Sequence, residues 1–326
     1  MTTMRAVVAD RAGAPEVLEV REVPIPASRP GWVRIRVRAF GLNRSEVMTR
    51  QGLSGEAVAF PKILGIEASG IVDDDPSGRL AVGQKVMTMM GGMGRSYDGG
   101  YAEYTSVPIG QAIPFESTLP WETLGAIPEM LQTAHGALTL GTATTAGDSL
   151  LIRGGTSSIG MAAAVLAKRV GATVVATTRN PAKVDALKRI GVDHVVIDEG
   201  EIAPNVRGIF PDGVDGAIEL IGATALRDTL RAVRPPGVVC FTGILSQQWS
   251  IPDFYPMDWL PNGVRLTAYS GEANNLAPDV LQGFLDDVAA GRATVPLGRA
   301  YRLDDIVQAH QDIEAGRVLG KAVVLP

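Results

Sequence analysis

The sequence has few of the residues that build disulfides and metal centres. Its 326 residues include one cysteine, Cys240, and three histidines, His135, His194 and His310, which lie far apart along the chain. One cysteine cannot form an internal disulfide, so a disulfide-stapled scaffold is excluded. A cysteine-rich zinc site is not expected either, because zinc needs three or four nitrogen, sulfur or oxygen ligands around it.

A basic excess and long apolar runs are also missing. Lys and Arg number 30 against 35 Asp and Glu, so the net charge is −5 and no basic field is available for nucleic acid. The most apolar short run, Met161–Ala167, is far too short to span a bilayer. The first residues lack the basic start and apolar core of a signal peptide. We therefore expect a cytoplasmic protein whose partner is a small molecule, with no nucleic acid and no membrane.

The first third of the chain is rich in strand patterns. β-branched or alternating residues, separated by proline and glycine, occur at Arg5–Asp10, Val17–Val23, Trp32–Ala39 and Ala68–Val72. The Trp32–Ala39 stretch alternates apolar and basic residues, which predicts a strand with one buried face and one solvated face.

From about Leu124 onward, short apolar strands alternate with helical stretches. The predicted strands are Ser149–Arg153, Ala172–Thr177, His194–Ile197, Gly216–Leu220 and Val238–Thr242. The predicted helices are Leu131–Leu140, Ile159–Val170, Pro181–Ile190, Ala225–Val233 and, nearer the C-terminus, Val280–Ala290 and Ile306–Ala315. Such alternation is typical of right-handed βαβ units and a parallel sheet.

The fold class is therefore α/β, with one domain inserted into another. A doubly wound parallel-sheet domain of the Rossmann type is predicted for residues 128–267. It interrupts a β-rich domain built from residues 1–127 and 268–326, which ends in a predicted strand at Lys321–Leu325.

The strongest local signal is a glycine-rich turn between a strand and a helix, within Leu150–Gly160. Glycine permits such a turn and lets a pyrophosphate approach the free N–H groups of the helix start. Gly154, Ser157 and Gly160 take the three key positions of the dinucleotide-binding pattern. The predicted cofactor-binding residues here are Gly154, Gly155, Thr156, Ser157, Ser158, Ile159 and Gly160. The alternatives are a plain strand–turn–helix joint and a serine nucleophile elbow, whose pattern fails at Ile159.

The end of the next strand predicts which dinucleotide is bound. An NAD site places an acid there for the ribose hydroxyls, but no acid lies between Thr173 and Ala182. Thr178, Arg179 and Lys183 occur instead, and they suit the 2′-phosphate of NADP. The alternative is that the two cations are ordinary solvated side chains.

Several segments resemble the quinone oxidoreductase branch of the medium-chain dehydrogenase/reductases. They are Ala39–Arg44, Arg50–Gly52, Pro61–Gly70, Gly147–Ile152 and Gly320–Leu325, in the family's order. The resemblance implies a GroES-like catalytic domain made from both termini, a Rossmann domain between them, and NADP(H) as the cofactor. It also implies a homodimer.

Zinc-dependent members of that superfamily carry a cysteine near the position of Asn43 and a histidine before the glutamate of a "GHE" block. This chain has Asn43 and Ile66-Glu67 at those places. We therefore expect no metal, and hydride transfer to a quinone or to the β-carbon of an enone rather than oxidation of a simple alcohol.

The resemblance also implies catalytic candidates. It places Asn43 beside the nicotinamide, where it hydrogen-bonds cofactor or substrate oxygen; the alternative is an asparagine that stabilises a turn. Arg50 matches the family and either serves the site or only holds its loop. Some relatives have a tyrosine where this chain has Met48, so no phenolic donor is expected there.

Further cofactor contacts follow from the same resemblance. Thr133 matches a position near the nicotinamide, whereas His135 is expected to pack. Candidate residues around the nicotinamide ribose and carboxamide are Ile221, Phe241, Thr242 and Gly243. Lys321 either reaches the cofactor or closes the sheet. Asp198 stands where relatives have a tyrosine near the adenine ribose, and an acid there would oppose a 2′-phosphate.

Three functions stay open. The first is an NADPH-dependent, zinc-free reductase of quinones or α,β-unsaturated carbonyls. The others are an enoyl reductase acting on tethered acyl chains and a non-catalytic NADPH-binding redox sensor. The aromatic segment Trp249–Trp259 suits either a flat apolar substrate or a dimer contact.

Overall fold

The computed structural model describes residues 2–54, 58–248 and 250–326. The chain forms two compact units. Unit 1 comprises Met1–Glu129 and Glu272–Pro326, and unit 2 comprises Met130–Gly271. Unit 1 therefore contains both ends of the described chain, and unit 2 is one continuous segment.

Unit 1 is built from two sheets. Its strands are β1 (Thr3–Ala9), β2 (Leu18–Pro24), β3 (Trp32–Gly41), β4 (Lys62–Ile63), β5 (Glu67–Asp74), β6 (Lys85–Met89), β7 (Tyr104–Pro108), β8 (Ile113–Pro114), β15 (Leu297–Arg302) and β16 (Lys321–Leu325). A three-stranded sheet has the order β2-β1-β4. A seven-stranded sheet has the order β15-β16-β3-β5-β6-β8, with β7 also paired to β3.

The central strand β3 shows why the sequence folds this way. Val33, Ile35 and Val37 are buried, whereas Arg36 and Arg38 on the other face are exposed. The predicted alternation is confirmed. The C-terminal strand β16 pairs antiparallel with the end of β3, so the last residues of the chain complete this sheet. In this arrangement a strand from the C-terminal segment pairs with a strand from the N-terminal segment.

The helices of unit 1 lie around these sheets. They are α1 (Arg44–Arg50), α2 (Trp121–Gly125), α9 (Pro278–Ala289) and α10 (Ile306–Glu314), with short 3₁₀ turns at Pro15–Val17, Ile109–Gln111 and Leu303–Asp305. A further helix, α3 (Pro128–Gly136), begins in unit 1 and continues into unit 2.

Unit 2 contains a six-stranded sheet in which every pair is parallel. The strands are β9 (Ser149–Arg153), β10 (Thr173–Thr178), β11 (His194–Ile197), β12 (Val214–Glu219), β13 (Val233–Phe241) and β14 (Arg265–Ala268). Their order is β11-β10-β9-β12-β13-β14. This is the 3-2-1-4-5-6 order of a Rossmann domain, so the predicted fold class is confirmed.

Helices connect the parallel strands. They are α4 (Ser158–Val170), α5 (Val184–Arg189), α6 (Ala203–Ile209), α7 (Ala223–Arg231) and α8 (Pro256–Trp259). The helix predicted at Pro181–Ile190 is a 3₁₀ turn, Pro181–Lys183, followed by α5.

The helix predicted at Leu131–Leu140 differs from a regular α-helix. It consists of α3 followed by a π turn, Ala137–Gly141. Two glycines let this segment pack closely on the sheet. A Cβ on Gly136 would lie 1.9 Å from Cζ of Tyr269, and one on Gly141 would lie 2.3 Å from Sγ of Cys240.

The aromatic segment before β14 is largely solvated. Tyr255 and Met257 are 62% and 82% exposed, whereas Trp249 lies outside the described residues. The predicted substrate or dimer role of this segment stays a prediction. In the described part of the chain, no helix is both long enough and apolar enough to cross a membrane.

Candidate functional site

The turn between β9 and α4 in unit 2 requires glycine at three positions. Gly154 has φ +88°, a left-handed conformation. A Cβ on Gly155 would lie 2.7 Å from Cβ of Ala176, and one on Gly160 would lie 2.5 Å from the carbonyl oxygen of Gly154. Side chains at these places would force the turn open, so the glycines fix its shape.

Ser157 closes this turn. Its side chain caps α4 by accepting a hydrogen bond from the amide of Gly160 (3.0 Å), and its hydroxyl donates to the carbonyl of Gly154 (2.8 Å). The first amides of a helix have no acceptor within it, so those of Ser158 and Ile159 point outward with the positive end of the helix dipole. With serine at the central position, the start of the helix therefore keeps a geometry that can accept an anion.

The end of β10 adjoins the same turn, because the amide of Gly155 donates to the carbonyl of Thr177 (3.0 Å). The hydroxyl of Thr178 is buried and hydrogen-bonds within its own loop to the backbone of Asn180. Arg179 is exposed and bonds to no other residue in the described part of the chain. Asn180 caps the following turn by accepting a hydrogen bond from the amide of Ala182, and Lys183 ends this turn partly exposed.

Asp198 is held by a buried arginine. Nε of Arg153 lies 2.9 Å from Oδ2 of Asp198, and Nη1 lies 2.8 Å from Oδ2 of Asp228. Arg153 is almost completely buried at the end of β9. Because Asp198 is paired with this guanidinium, which it shares with Asp228, the repulsion expected between that acid and a 2′-phosphate is weakened.

Glu219, at the end of β12, shapes the neighbouring loops. One carboxylate oxygen accepts from the amides of Ile221 (2.6 Å) and Gly222 (3.0 Å). The Glu219 carbonyl accepts from the amides of Thr242 and Gly243. Burial raises the pKa of this carboxyl to about 7. These bonds tie together two loops that hold predicted cofactor residues.

Sequence reasoning missed Arg153 and Glu219. A signal was present, since each is a charged residue at the carboxyl end of a mostly apolar strand. The register of β9 and β12 places the two residues directly opposite each other. A charge at the carboxyl end of a buried parallel strand thus marked both positions.

Tyr269, just after β14, is a further residue that the sequence did not suggest. Its carbonyl accepts from the Thr242 hydroxyl (2.8 Å), and its ring lies over Gly136, one helical turn from Thr133. The Tyr269 hydroxyl is buried, and no described residue hydrogen-bonds to it. Burial raises the pKa of this phenol, so it stays protonated at neutral pH.

We expect Tyr269→Phe to leave the free energy of unfolding unchanged or to raise it by up to about 1 kcal/mol, because an unsatisfied buried hydroxyl is removed. Tyr301→Phe is the matched control, since the Tyr301 hydroxyl donates to Asp312 at 2.7 Å. The control should lose about 1.5–3 kcal/mol, as expected for a bond to a charged group. Urea denaturation measures both; a loss in Tyr269→Phe as large as in the control would reveal a hydrogen bond to that hydroxyl.

A second group of predicted residues lies in unit 1, around a buried ammonium. Nζ of Lys321 lies 2.5 Å from Oδ1 of Asn43, 2.6 Å from Oε1 of Glu67 and 3.3 Å from Oε2 of Glu129. Lys321 has no exposed surface, and Asn43 is 9% exposed. This burial favours a role for Lys321 in closing and organising the structure over direct contact with a cofactor.

The bonds of Asn43 determine what it can offer a ligand. Its Nδ2 donates to Oε1 of Glu67 (2.9 Å) and to Oε1 of Glu46 (3.2 Å), so both amide hydrogens are used. An ammonium only donates and a carboxylate only accepts, which fixes the amide orientation. One lone pair on Oδ1 remains. Asn43 can thus accept a hydrogen bond from a ligand hydroxyl but has no hydrogen left for a quinone oxygen.

Glu46 carries a carboxylate oxygen without a partner. Its Oε1 accepts from the amide of Ile66 (3.1 Å), whereas Oε2 is buried and no described residue hydrogen-bonds to it. Burial, aided by the nearby charge of Glu67, raises the pKa of Glu46 to about 7. Folded protein therefore takes up this proton at a higher pH than unfolded chain does.

This raised pKa predicts that stability falls as pH rises from about 4.5 to 7, because the folded state binds the extra proton in that window. Over this pH window, the free energy of unfolding of Glu46→Gln should fall by about 2–3 kcal/mol less than that of the natural protein. Urea denaturation at pH 5 and pH 8 measures the difference. Glu199→Gln, an exposed position, is the control. An unchanged pH dependence in Glu46→Gln would show that Glu46 is ionised throughout.

Arg50 lies in a separate buried network. Its guanidinium contacts the carbonyl of Gly13 (3.1 Å), Nδ1 of His310 (3.3 Å) and Oε1 of Glu314 (2.5 Å), and it has no exposed surface. These contacts join α1 to α10 and favour the loop-holding interpretation. Met48 is buried beside it in α1.

Comparison with known proteins agrees with this architecture. Residues 29–117 match the alcohol dehydrogenase GroES-like domain, and residues 158–283 match the zinc-binding dehydrogenase family. The quinone oxidoreductase of Rattus norvegicus is 27% identical over 333 residues, covering 99% of this chain and 98% of the relative.

Solved structures of other proteins share this fold over nearly the whole chain. A mycobacterial protein complexed with NADPH has a TM-score of 0.87 at 25% identity, and a structure described as an NAD-dependent alcohol dehydrogenase has 0.86 at 26%. Each comparison covers 99% of this chain and 100% of the other. The fold and the glycine turn define a Rossmann oxidoreductase. The chain belongs to the medium-chain dehydrogenase/reductase superfamily, in its quinone oxidoreductase branch.

The zinc implied by one family description does not fit the residues present. Of the two positions where zinc-dependent relatives carry ligands, Ile66 offers no donor atom and the side-chain oxygen of Asn43 is already bonded to the ammonium of Lys321, as is Oε1 of the neighbouring Glu67. Within the described ranges, no group of three or more His, Cys, Asp and Glu side chains is arranged to hold a metal.

Proposed function

We propose that this oxidoreductase uses NADPH to reduce quinones or α,β-unsaturated carbonyl compounds by hydride transfer, without zinc. NADP(H) is the cofactor of the branch to which the chain belongs. The observation that carries the proposal is a pair of features in unit 2 that suit phosphate groups. One is the turn Gly154–Gly160, and the other is the exposed Arg179 at the end of the adjacent strand.

The residues of unit 2 fit a dinucleotide phosphate. The amides of Ser158 and Ile159 would hold the pyrophosphate, and Arg179 would hold the 2′-phosphate. The nicotinamide end would lie against the remaining candidates, Thr133, Ile221, Phe241, Thr242 and Gly243. When bound, NADPH supplies a hydride; the chain supplies position and electrostatics.

The acceptor class is argued from what the candidate residues of unit 1 can offer a substrate oxygen. A simple alcohol or ketone needs a Lewis acid or a strong donor at its oxygen. The amide hydrogens of Asn43 are occupied, Met48 offers none, and the ammonium of Lys321 is enclosed by its partners. A quinone or an enone spreads the developing charge over its own conjugated system, so it needs less help from the protein. The name of the rat relative supports the same class.

The first test is a fluorescence titration of the purified protein with NADPH and with NADH, followed by an acceptor panel. The panel contains quinones, enones and acyl thioesters. Oxidation of alcohols by NADP⁺ is measured as the reverse reaction. Tight NADPH binding and turnover of quinones or enones support the proposal. Turnover of acyl thioesters alone would favour the enoyl reductase. Binding without any turnover would favour the redox sensor, and alcohol oxidation would overturn the acceptor class.

A further inference from the structure

The ammonium of Lys321 has the environment of a bound cation. Its three hydrogens are matched by three oxygens, which belong to Asn43, Glu67 and Glu129. Glu67 has no exposed surface and Glu46, on the far side of Asn43, is 1% exposed. Burial alone would lower the pKa of this lysine, but Glu67 and Glu129 outweigh burial and raise it. The lysine is therefore charged.

The local backbone makes room for this charge. A Cβ on Gly41, in β3, would lie 2.3 Å from Oε1 of Glu67 and 2.4 Å from Cε of Lys321. The glycine is thus needed for the lysine and the carboxylate to meet. Lys321 begins the last strand, β16, and its amide is bonded to the carbonyl of Pro296 at 2.7 Å, which anchors the side chain at its base.

Carboxylate and amide oxygens are the ligands that hard divalent cations prefer, at about 2.0–2.6 Å. Nζ of Lys321 lies 2.5 and 2.6 Å from the nearest two of these oxygens, so a metal ion bound to them would overlap the ammonium. We propose that Lys321 is the permanent cation of this site: it positions Asn43 and Glu67, and it excludes a metal ion from the oxygens that surround it.

Two consequences separate this role from ordinary packing. Removing the ammonium leaves Glu67, which has no exposed surface, without the cation it contacts at 2.6 Å, which is strongly destabilising. It also leaves a small space lined by oxygens of Asn43, Glu67 and Glu129. Lys321→Met should therefore create a divalent cation site that the natural protein does not have.

The experiment compares thermal stability and Mn²⁺ binding, followed by electron paramagnetic resonance, in metal-free protein. Without metal, we expect Lys321→Met to lower the Tm by roughly 10 °C. Mn²⁺ should recover much of that loss with one ion bound per chain, at least about tenfold more tightly than to the natural protein. The control Lys85→Met removes a partly buried lysine elsewhere in unit 1. It should neither lower the Tm by a comparable amount nor create a Mn²⁺ site.

The double variant Lys321→Met with Glu67→Gln removes one positive and one negative charge. It should recover stability without metal and lose the Mn²⁺ site. If Lys321→Met does not fold alone, folding of the double variant, or refolding of the single variant in Mn²⁺, supports the role of Lys321. The proposal would be overturned if the natural protein contained one equivalent of zinc and the Glu67→Gln variant had lost it. A Lys321→Met protein as stable as the natural one and indifferent to Mn²⁺ would overturn it too.

Discussion

Gly160→Ala should weaken NADPH binding by roughly 100-fold, about 2.7 kcal/mol, while the rest of the Rossmann sheet stays folded. The added Cβ would lie 2.5 Å from the carbonyl oxygen of Gly154 and 2.9 Å from Cα of Gly155. Both are backbone atoms within the turn, so relief requires the turn to open. Opening moves the amides of Ser158 and Ile159 away from the phosphate, and their alignment with the helix dipole is lost.

Gly208→Ala is the matched control, because a Cβ on Gly208 meets nothing within 4 Å and the residue lies in a helix, α6. The control should bind NADPH normally and gain a little stability from the better helix propensity of alanine. Fluorescence titration gives the affinities, and far-ultraviolet circular dichroism checks the fold. Normal NADPH binding by a folded Gly160→Ala protein would remove this turn from the cofactor site.

The local patterns of the sequence predicted the parts of the fold that depend on neighbouring residues. The alternation in β3 predicts one buried face because successive side chains point to opposite sides of a strand. The glycine turn depends in part on clashes within its own segment, since a Cβ on Gly160 would lie 2.5 Å from the carbonyl oxygen of Gly154. The cap of α4 by Ser157 was not predicted, although it too depends only on neighbouring residues. These features needed no knowledge of distant segments.

The buried contacts around Lys321 and Arg50 in unit 1 could not be predicted from such local patterns. Lys321 and Asn43 are 278 positions apart, and Arg50 and Glu314 are 264 apart. The pairing of β16 with β3 brings Lys321 to Asn43. Whether an asparagine has a hydrogen left for a ligand depends on every partner around it, so the role of Asn43 could not be read from its neighbours in sequence. The same reason hid the pairing of Asp198 with Arg153.

Arg179→Ala should weaken NADPH binding by about 10- to 150-fold and leave NADH binding within about twofold. Removing one charge-assisted bond to a phosphate costs roughly 1.5–3 kcal/mol, and NADH has no 2′-phosphate to lose. Arg179 is exposed at the end of β10, and its side chain is bonded to no other described residue. Its removal therefore leaves no buried group unpaired, and the fold should be unaffected.

Salt provides an independent check on this assignment, because an exposed ion pair is screened within about 10 Å at 0.1 M ionic strength. The preference of the natural protein for NADPH over NADH should shrink as salt is raised, and that of Arg179→Ala should change much less. Arg189→Ala, which removes an exposed arginine at the end of α5, controls for the change in net charge. An equal loss of affinity for NADPH and NADH in Arg179→Ala would place the 2′-phosphate elsewhere. The arginine would then contact a part that both dinucleotides share, and Lys183 would become the next residue to test.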